Sequence, residues 1–112
     1  MAESGGRQAT FRALADPTRR ALIDLLGEGE RSVMELVAQF QVTQPAISQH
    51  LAVMRDAGLV TERRSGRQRI YRLRPEPLEQ VYDWVGHYRR FWDRRLAALG
   101  EHLDQAAVEE EE

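Results

Sequence analysis

The segment from Ser32 to Gly58 constrains the fold of this chain most strongly, because it contains two short helix patterns separated by only a few residues. Ser32 and Glu35 have the spacing of a capping box, which predicts a helix over residues 33–40. Gly58 can adopt the left-handed conformation that ends a second helix. We therefore predict a helix-turn-helix over residues 33–57.

The second of these helices, Thr43–Ala57, has one apolar face and one narrow polar face. Thr43 can cap its N-terminus, and Val42 and Ile47 occupy the two positions of a hydrophobic staple. The apolar stripe consists of Ile47, Leu51 and Met54, which recur at helical spacing. The opposite face carries small, amide and hydroxyl side chains without an acid, which suits the major groove of DNA.

Residues of this helix that are candidates for DNA contact are Thr43, Gln44, Pro45, Ser48, Gln49 and His50. Gln44 and Gln49 can pair with an adenine edge, whereas Ser48 can contact a base or a phosphate. His50 falls on the buried flank of the helix, so we expect it to be packed or hydrogen-bonded within the protein rather than to read a base.

Two strand patterns follow the helix-turn-helix, at residues 59–64 and 68–73. Ser65-Gly66 between them is a hairpin turn signal. We therefore predict a two-stranded wing over residues 60–73.

The arginines of the chain are distributed unevenly. Residues 42–74 carry seven arginines against two acids, whereas residues 75–112 carry four arginines against ten acids. This asymmetry predicts a cationic surface in the middle of the chain. We expect Arg64, Arg67 and Arg69 of the wing to reach DNA phosphates or the minor groove.

The C-terminal part of the chain predicts one long helix over residues 77–106, because apolar residues step by three or four along all of it. A domain of this size cannot cover so long an apolar stripe, so a second copy of the chain is its natural cover. The final glutamates predict a disordered acidic tail over residues 108–112, which leaves a single domain over residues 1–107.

Other uses of this C-terminal helix stay open. Asp83 and His87 stand four residues apart, and His102 lies near the end of the helix. Carboxylate and imidazole groups at such spacing can hold zinc or nickel, so these three residues are weak metal candidates for a metal-responsive repressor. The aromatic residues between positions 82 and 92 favour a dimer core, with a small-molecule pocket or a surface for a different protein partner as alternatives.

Composition excludes several classes of function. The absence of cysteine among 112 residues excludes disulfides, thiolate metal sites and cysteine nucleophiles. No nucleophile–base pair, phosphate loop or carboxylate dyad stands out, so we expect no enzyme and no cofactor. No apolar run approaches the roughly 18 residues of a membrane span. The N-terminus lacks the basic and apolar segments of a secretory signal, so we expect a cytoplasmic protein.

The chain resembles the ArsR-type winged helix-turn-helix repressors in three segments, which occur in the order ALADPTRRALIDLL, RSVMELVAQFQVTQPAISQHLAVMRDAGLV and RRSGRQRIYRL. The last helix resembles a cysteine-free branch of that family. The resemblance implies a mainly α fold with a two-stranded β wing, in the order four helices, two strands and a final helix. It also implies a homodimer that binds a palindromic operator in double-stranded DNA and represses transcription.

The resemblance further assigns roles to particular segments. Thr43–Ala57 would be the recognition helix, and Val60–Leu73 would be the wing. The first and last helices would join the two copies through Phe11, Leu14, Leu78, Val81, Val85, Tyr88, Trp92, Leu96 and Leu99. The thiolate metal-sensing motif of the family falls around Glu35–Phe40, where this chain has no cysteine. We therefore expect no arsenic, cadmium or lead sensing, and the sequence does not decide whether another inducer exists.

Overall fold

The structure of the chain, a computed structural model, describes residues 2–111, and it describes side chains for residues 6–103. The elements in chain order are α1 (Ala2–Leu14), α2 (Pro17–Gly27), β1 (Arg31–Ser32), α3 (Val33–Gln39), α4 (Gln44–Asp56), β2 (Val60–Ser65), β3 (Gln68–Leu73), α5 (Leu78–Gly86) and α6 (Arg89–Glu111). The chain as far as Val81 forms one compact unit, and the residues from Tyr82 onward form a second one.

The helix starts are fixed by local hydrogen bonds. Asp16 accepts a hydrogen bond from the backbone amide of Thr18 at 3.1 Å, and Pro17 occupies the first turn of α2. Ser32 and Glu35 form both bonds of the predicted capping box, each at 3.1 Å. These bonds satisfy N-terminal amides that have no partner within their own helix, so the boundaries of α2 and α3 follow from a few neighbouring residues.

The wing belongs to a three-stranded antiparallel sheet in which β3 lies between β1 and β2. β2 pairs with β3 along its whole length, beginning with Val60 opposite Leu73. The structure adds β1 to the predicted two-stranded wing, with Arg31 opposite Tyr71. A strand of two residues is too short to show an alternating pattern, so only its pairing with β3 reveals it.

The first unit has one hydrophobic core, to which α1–α4 and the wing contribute. Its buried apolar side chains are Ala13, Leu22, Leu26, Leu36, Ile47, Leu51, Met54, Leu59, Val60 and Tyr71. The predicted apolar stripe of α4 lies entirely within this core. The opposite face of α4 therefore points to solvent, as an amphipathic helix requires.

The prediction of one long helix over residues 77–106 was wrong, because the structure has two helices there. α5 ends at Gly86, and α6 begins at Arg89. Between them the amides of His87 and Tyr88 donate to carbonyl groups three residues earlier, at 3.2 and 2.9 Å, so the turn is tighter than an α-helix. Glycine is a poor helix former, which favours a break at this point. The apolar periodicity continues across the break and therefore did not reveal it.

The C-terminus also differs from the prediction. α6 continues to Glu111, so residues 108–111 are helical where a disordered tail was expected, and Glu112 lies outside the described residues. Glutamate is a good helix former, and neither glycine nor proline follows Gly100. The expected single domain over residues 1–107 is divided at Val81 into the two units. Over the described part of the chain, no helix has the length and hydropathy needed to cross a membrane.

Candidate nucleic-acid interface

Both ends of α4 are closed by the residues that the sequence places there. Thr43 Oγ1 accepts a hydrogen bond from the amide of Ala46 at 3.2 Å. At the other end Gly58 has a φ of 76°, and the Leu59 amide donates to the carbonyl of Met54 at 2.9 Å. Glycine adopts a positive φ without steric cost, and the bond satisfies a carbonyl that has no partner within the helix. The length and direction of α4 are thus set by its own caps.

The polar face of α4 is exposed to solvent. Its exposed candidate residues are Thr43, Gln44, Pro45, Ser48 and Gln49. A row along one side of the helix consists of Gln44, Ser48, Ala52 and Arg55, which are three or four residues apart. Two amide or hydroxyl groups, a small residue and a cation therefore face the same direction.

A cleft of about 370 Å³ lies between this row and the wing. The residues of α4 and the wing that line it are Gln44, Ser48, Ala52, Arg55, Arg67, Gln68, Arg69 and Tyr71. The cleft is also lined by residues at the start of α3. The structure thus brings four of the predicted DNA-binding residues, Gln44, Ser48, Arg67 and Arg69, to one surface. Pro45, Gln49 and Arg64 are exposed outside the lining of the cleft.

The wing has two faces with different surroundings. Cross-strand partners share a face, so Arg64 and its partner Arg69 lie on the same side of the hairpin as Glu62 and Tyr71. The turn that joins the strands has Gly66 at its first position, where the backbone φ is 64°. Residues other than glycine rarely adopt this φ. This turn presents Arg67 at the tip of the wing.

Four of the five wing arginines form no ion pair in the part of the chain whose side chains are described. Arg63 is paired with Glu30 at 2.8 Å, whereas Arg64, Arg67, Arg69 and Arg72 form no ion pair there. Two like charges directly opposite each other on a hairpin are destabilising, as is the case for Arg64 and Arg69. An anion bound between them would remove this repulsion.

A chain of polar contacts joins α4 to the wing. Arg55 Nη1 donates to Glu62 Oε1 at 3.0 Å, and the hydroxyl of Tyr71 donates to Glu62 Oε2 at 2.8 Å. The Tyr71 hydrogen bond, and after it the charge of Arg55, hold the pKa of Glu62 below its ordinary value of 4.5. Burial and the bond to Glu62 raise the pKa of Tyr71, which keeps the hydroxyl a donor at neutral pH. α4 and the wing are therefore connected through one carboxylate.

Sequence reasoning counted Arg55 in the basic cluster but did not place it at the interface. Arg55 follows Gln44 by eleven residues and Ser48 by seven. This helical spacing indicates that the three side chains lie in the same row of α4. His50 differs from the other candidates, because it is half-buried on the flank of α4. Its Nδ1 lies 3.2 Å from Nη1 of Arg19, which agrees with the expected hydrogen-bonded role.

The candidate dimerisation residues fall into two groups. Phe11, Leu14, Leu78 and Val81 are half-buried in the first unit, where Leu78 packs against the core. Val85, Tyr88, Trp92, Leu96 and Leu99 are each about half-exposed in the second unit. Leu78 thus has an intramolecular role, whereas the second group leaves a large apolar surface uncovered within one chain.

The weak metal candidates are not brought together as the sequence suggested. Asp83 lies in α5 and His87 follows the end of that helix, so the two do not share one continuous helix face. His87 Nδ1 lies 3.3 Å from the carbonyl oxygen of Trp84. His102 lies far along α6. Among the described residues no group of three or more histidine and acidic side chains has the proximity to hold a metal ion.

Comparison with known proteins identifies the family. The model of the family described as "Bacterial regulatory protein, arsR family" matches residues 16–62, which contain α2, α3 and α4. The HTH-type transcriptional regulator Rv2034 of Mycobacterium tuberculosis is 39% identical over 94 residues, which are 84% of this chain and 85% of that protein. The chain belongs to the arsR family.

Two further similar proteins extend this result. The HTH-type transcriptional repressor SmtB of Mycobacterium tuberculosis is 48% identical over 78 residues, which cover 69% of this chain and 58% of that repressor. A crystal structure of the ArsR family transcriptional regulator RHA00566 superposes with a TM-score of 0.69 at 32% identity, covering 82% of this chain and 92% of that one. The predicted winged helix-turn-helix fold is thereby confirmed. The chain is a transcriptional regulator and not an enzyme.

Proposed function

We propose that this arsR-family protein is a sequence-specific repressor that binds a palindromic operator in double-stranded DNA as a cytoplasmic homodimer. The observation that supports this proposal best is the shared cleft, where the polar row of α4 and two unpaired wing arginines, Arg67 and Arg69, face one space. Base edges require donors and acceptors on a narrow helix, and phosphates require cations beside it. Both requirements are met on one surface.

The two parts of this surface have different tasks. Gln44 and Ser48 are exposed near the N-terminus of α4, the end of a recognition helix that contacts base edges. Arg67 and Arg69 lie across the cleft and contact backbone phosphates, so they add affinity with little sequence information. Arg64, opposite Arg69, gains the most from a phosphate between them, because the phosphate replaces repulsion by attraction.

The exposed stripe of α6 supports self-association. Trp92, Leu96, Leu99 and Leu103 are each more than half-exposed and repeat at helical spacing. The sequence of α6 is basic in its first half, with arginines at positions 89, 90, 94 and 95, and acidic from Glu101 onward. Two copies of α6 packed antiparallel would bury the stripe and place each basic half beside an acidic half, whereas parallel packing would oppose like charges. An antiparallel pair has the two-fold symmetry that a palindrome requires.

Selection of bound duplexes from a random DNA library tests the proposal. We expect an imperfect palindrome whose half-sites are centred about 10 base pairs apart, one turn of the double helix. Enrichment of a single unrepeated half-site would contradict the homodimer. The failure of any sequence to be enriched would contradict sequence-specific binding and favour a surface for another protein.

The role of the cleft is tested by the salt dependence of binding to a selected duplex. The double substitution Arg67→Ala and Arg69→Ala should weaken binding and reduce the slope of log affinity against log salt by roughly four, because each protomer of the homodimer loses two phosphate contacts. The matched control is Arg63→Ala with Arg72→Ala, which removes the same charge from the opposite face of the wing. Equal slopes for the two double variants would show that the wing does not bind through its cleft face.

A further inference from the structure

Arg19 and Arg20 lie near the N-terminus of α2, where the helix dipole disfavours positive charge. The structure shows what compensates for this cost. Arg19 Nε donates to the carbonyl of Ala13 at 2.8 Å, and its Nη2 donates to the carbonyl of Arg12 at 2.8 Å. Arg20 Nη1 donates to the carbonyl of Leu14 at 2.6 Å. Both arginines therefore bind the C-terminal carbonyl groups of α1, the negative end of that helix.

Of the two, Arg19 alone also reaches the recognition helix within the described part of the chain. Its Nη1 lies 3.2 Å from Nδ1 of His50. A guanidinium group has only donors and keeps its charge, so Nδ1 of His50 must accept this hydrogen bond. A neutral imidazole that accepts at Nδ1 carries its hydrogen on Nε2. Arg19 thus selects the tautomer of the neutral His50 ring.

The other ring nitrogen of His50 is available to a ligand. Among the residues whose side chains are described, none forms a hydrogen bond with Nε2 of His50. Nε2 is also not fully buried, so it reaches solvent. His50 follows the exposed Gln49 directly in α4. The recognition helix therefore carries one N–H donor on its flank, and a phosphate oxygen is an acceptor that suits it.

We propose that Arg19 is a positioning residue for DNA binding. It holds α4 against the corner between α1 and α2, and it fixes His50 as an Nε2–H donor to a DNA phosphate. The inference rests on the proposed DNA-binding function and deepens it. Phosphate contacts set the orientation of a recognition helix rather than its base preference, so the loss of Arg19 weakens binding similarly across DNA sequences.

The first test uses the full-length protein without DNA. Long-range ¹⁵N–¹H NMR of the histidine rings should show an unprotonated Nδ1 and a protonated Nε2 for His50, with the signal assigned by its loss in His50→Asn. Arg20→Ala, which loses a similar bond to α1, should leave this pattern unchanged, whereas Arg19→Ala should give a mixture of tautomers. A wild-type ring protonated at Nδ1, or a pattern unchanged in Arg19→Ala, overturns the proposal whether or not the protein binds DNA.

The second test measures affinity for a selected duplex. Arg19→Ala should weaken binding of the homodimer roughly a hundredfold more than Arg20→Ala, because one charge-assisted hydrogen bond is lost in each of the two protomers. His50→Leu has neither a donor nor an acceptor, so in its background Arg19→Ala should cost no more than Arg20→Ala. Equal effects of the two arginine substitutions in the wild-type chain overturn the positioning role. If the wild-type chain binds no duplex, both the proposed function and the phosphate contact of His50 are refuted. The tautomer test then still decides whether Arg19 positions His50 within the protein.

Discussion

The hydrogen bond from Tyr71 to Glu62 offers a sharp test of how the recognition helix is joined to the wing. Tyr71→Phe removes the hydroxyl group that lies 2.8 Å from Glu62 Oε2 and leaves the ring, which is 5% exposed, in the core. Glu62 keeps its second partner, Arg55, at 3.0 Å. The substitution therefore isolates one charge-assisted hydrogen bond without opening a cavity.

The expected loss of unfolding free energy follows from this geometry. A hydrogen bond to a charged group contributes about 1.5–3 kcal/mol. The side chain of Glu62 is 31% exposed, so water can replace part of the lost bond and the lower limit applies. We expect a loss of about 1.5 kcal/mol at neutral pH, which for a chain of this length lowers Tm by about 6 °C.

The pH dependence of this loss has a definite sign. The pKa of Glu62 is lowered in the folded protein, chiefly by the Tyr71 hydrogen bond. The ionised carboxylate therefore contributes fully to the free energy of unfolding above pH 4.5, the ordinary pKa of a glutamate. This contribution disappears as the pH falls through the folded pKa of Glu62. The free-energy difference between wild type and Tyr71→Phe should therefore be largest at neutral pH and shrink below about pH 4.5. Urea unfolding followed by far-ultraviolet circular dichroism measures it, because both tryptophans lie beyond Val81 and report on the second unit.

Tyr82→Phe is the matched control for this experiment. Its hydroxyl accepts a hydrogen bond from Arg89 at 2.9 Å, but the side chain is 64% exposed. We expect Tyr82→Phe to change the free energy of unfolding by less than about 0.5 kcal/mol. The reasoning is refuted if Tyr71→Phe is as stable as the wild type, or if its effect does not shrink as the pH is lowered from 4.5 toward acid unfolding.

Three further predictions concern the core, the wing turn and self-association. Leu51→Ala should lower the free energy of unfolding by about 2–5 kcal/mol in urea titrations, since Leu51 is 1% exposed, whereas Gln49→Ala on the exposed face should change it by less than about 0.5 kcal/mol. Gly66→Ala should cost about 1–2 kcal/mol because of the positive φ, and Gly66→Asn should cost less, so equal losses would contradict the turn geometry. Leu96→Glu should convert a sedimenting dimer to a monomer at unchanged helix content, and a wild-type chain that sediments as a monomer would contradict the role of α6.

The amino-acid sequence by itself determined the features that depend on neighbouring residues. The capping box of Ser32 and Glu35, the cap at Thr43 and the end of α4 at Gly58 each involve groups within five residues, so their geometry follows from local backbone chemistry. The apolar stripe of α4 likewise follows from helical periodicity, and it identifies the opposite face as the exposed one. Together with the two strand patterns and the turn signal at Ser65-Gly66, these features predict the winged helix-turn-helix, whereas the family resemblance rests on three longer segments of the sequence.

Only the tertiary structure decided which distant groups meet. Arg19 and His50 are 31 residues apart, and no pattern in either helix predicts that one fixes the tautomer of the other. The same holds for the contact of Arg55 with Glu62, and for the pairing of β1 with β3. The break after Gly86 escaped prediction because the apolar repeat continues through it. Local patterns specify caps and faces, whereas the contacts that join the recognition helix to α2 and to the wing arise only when packing of the core brings those elements together.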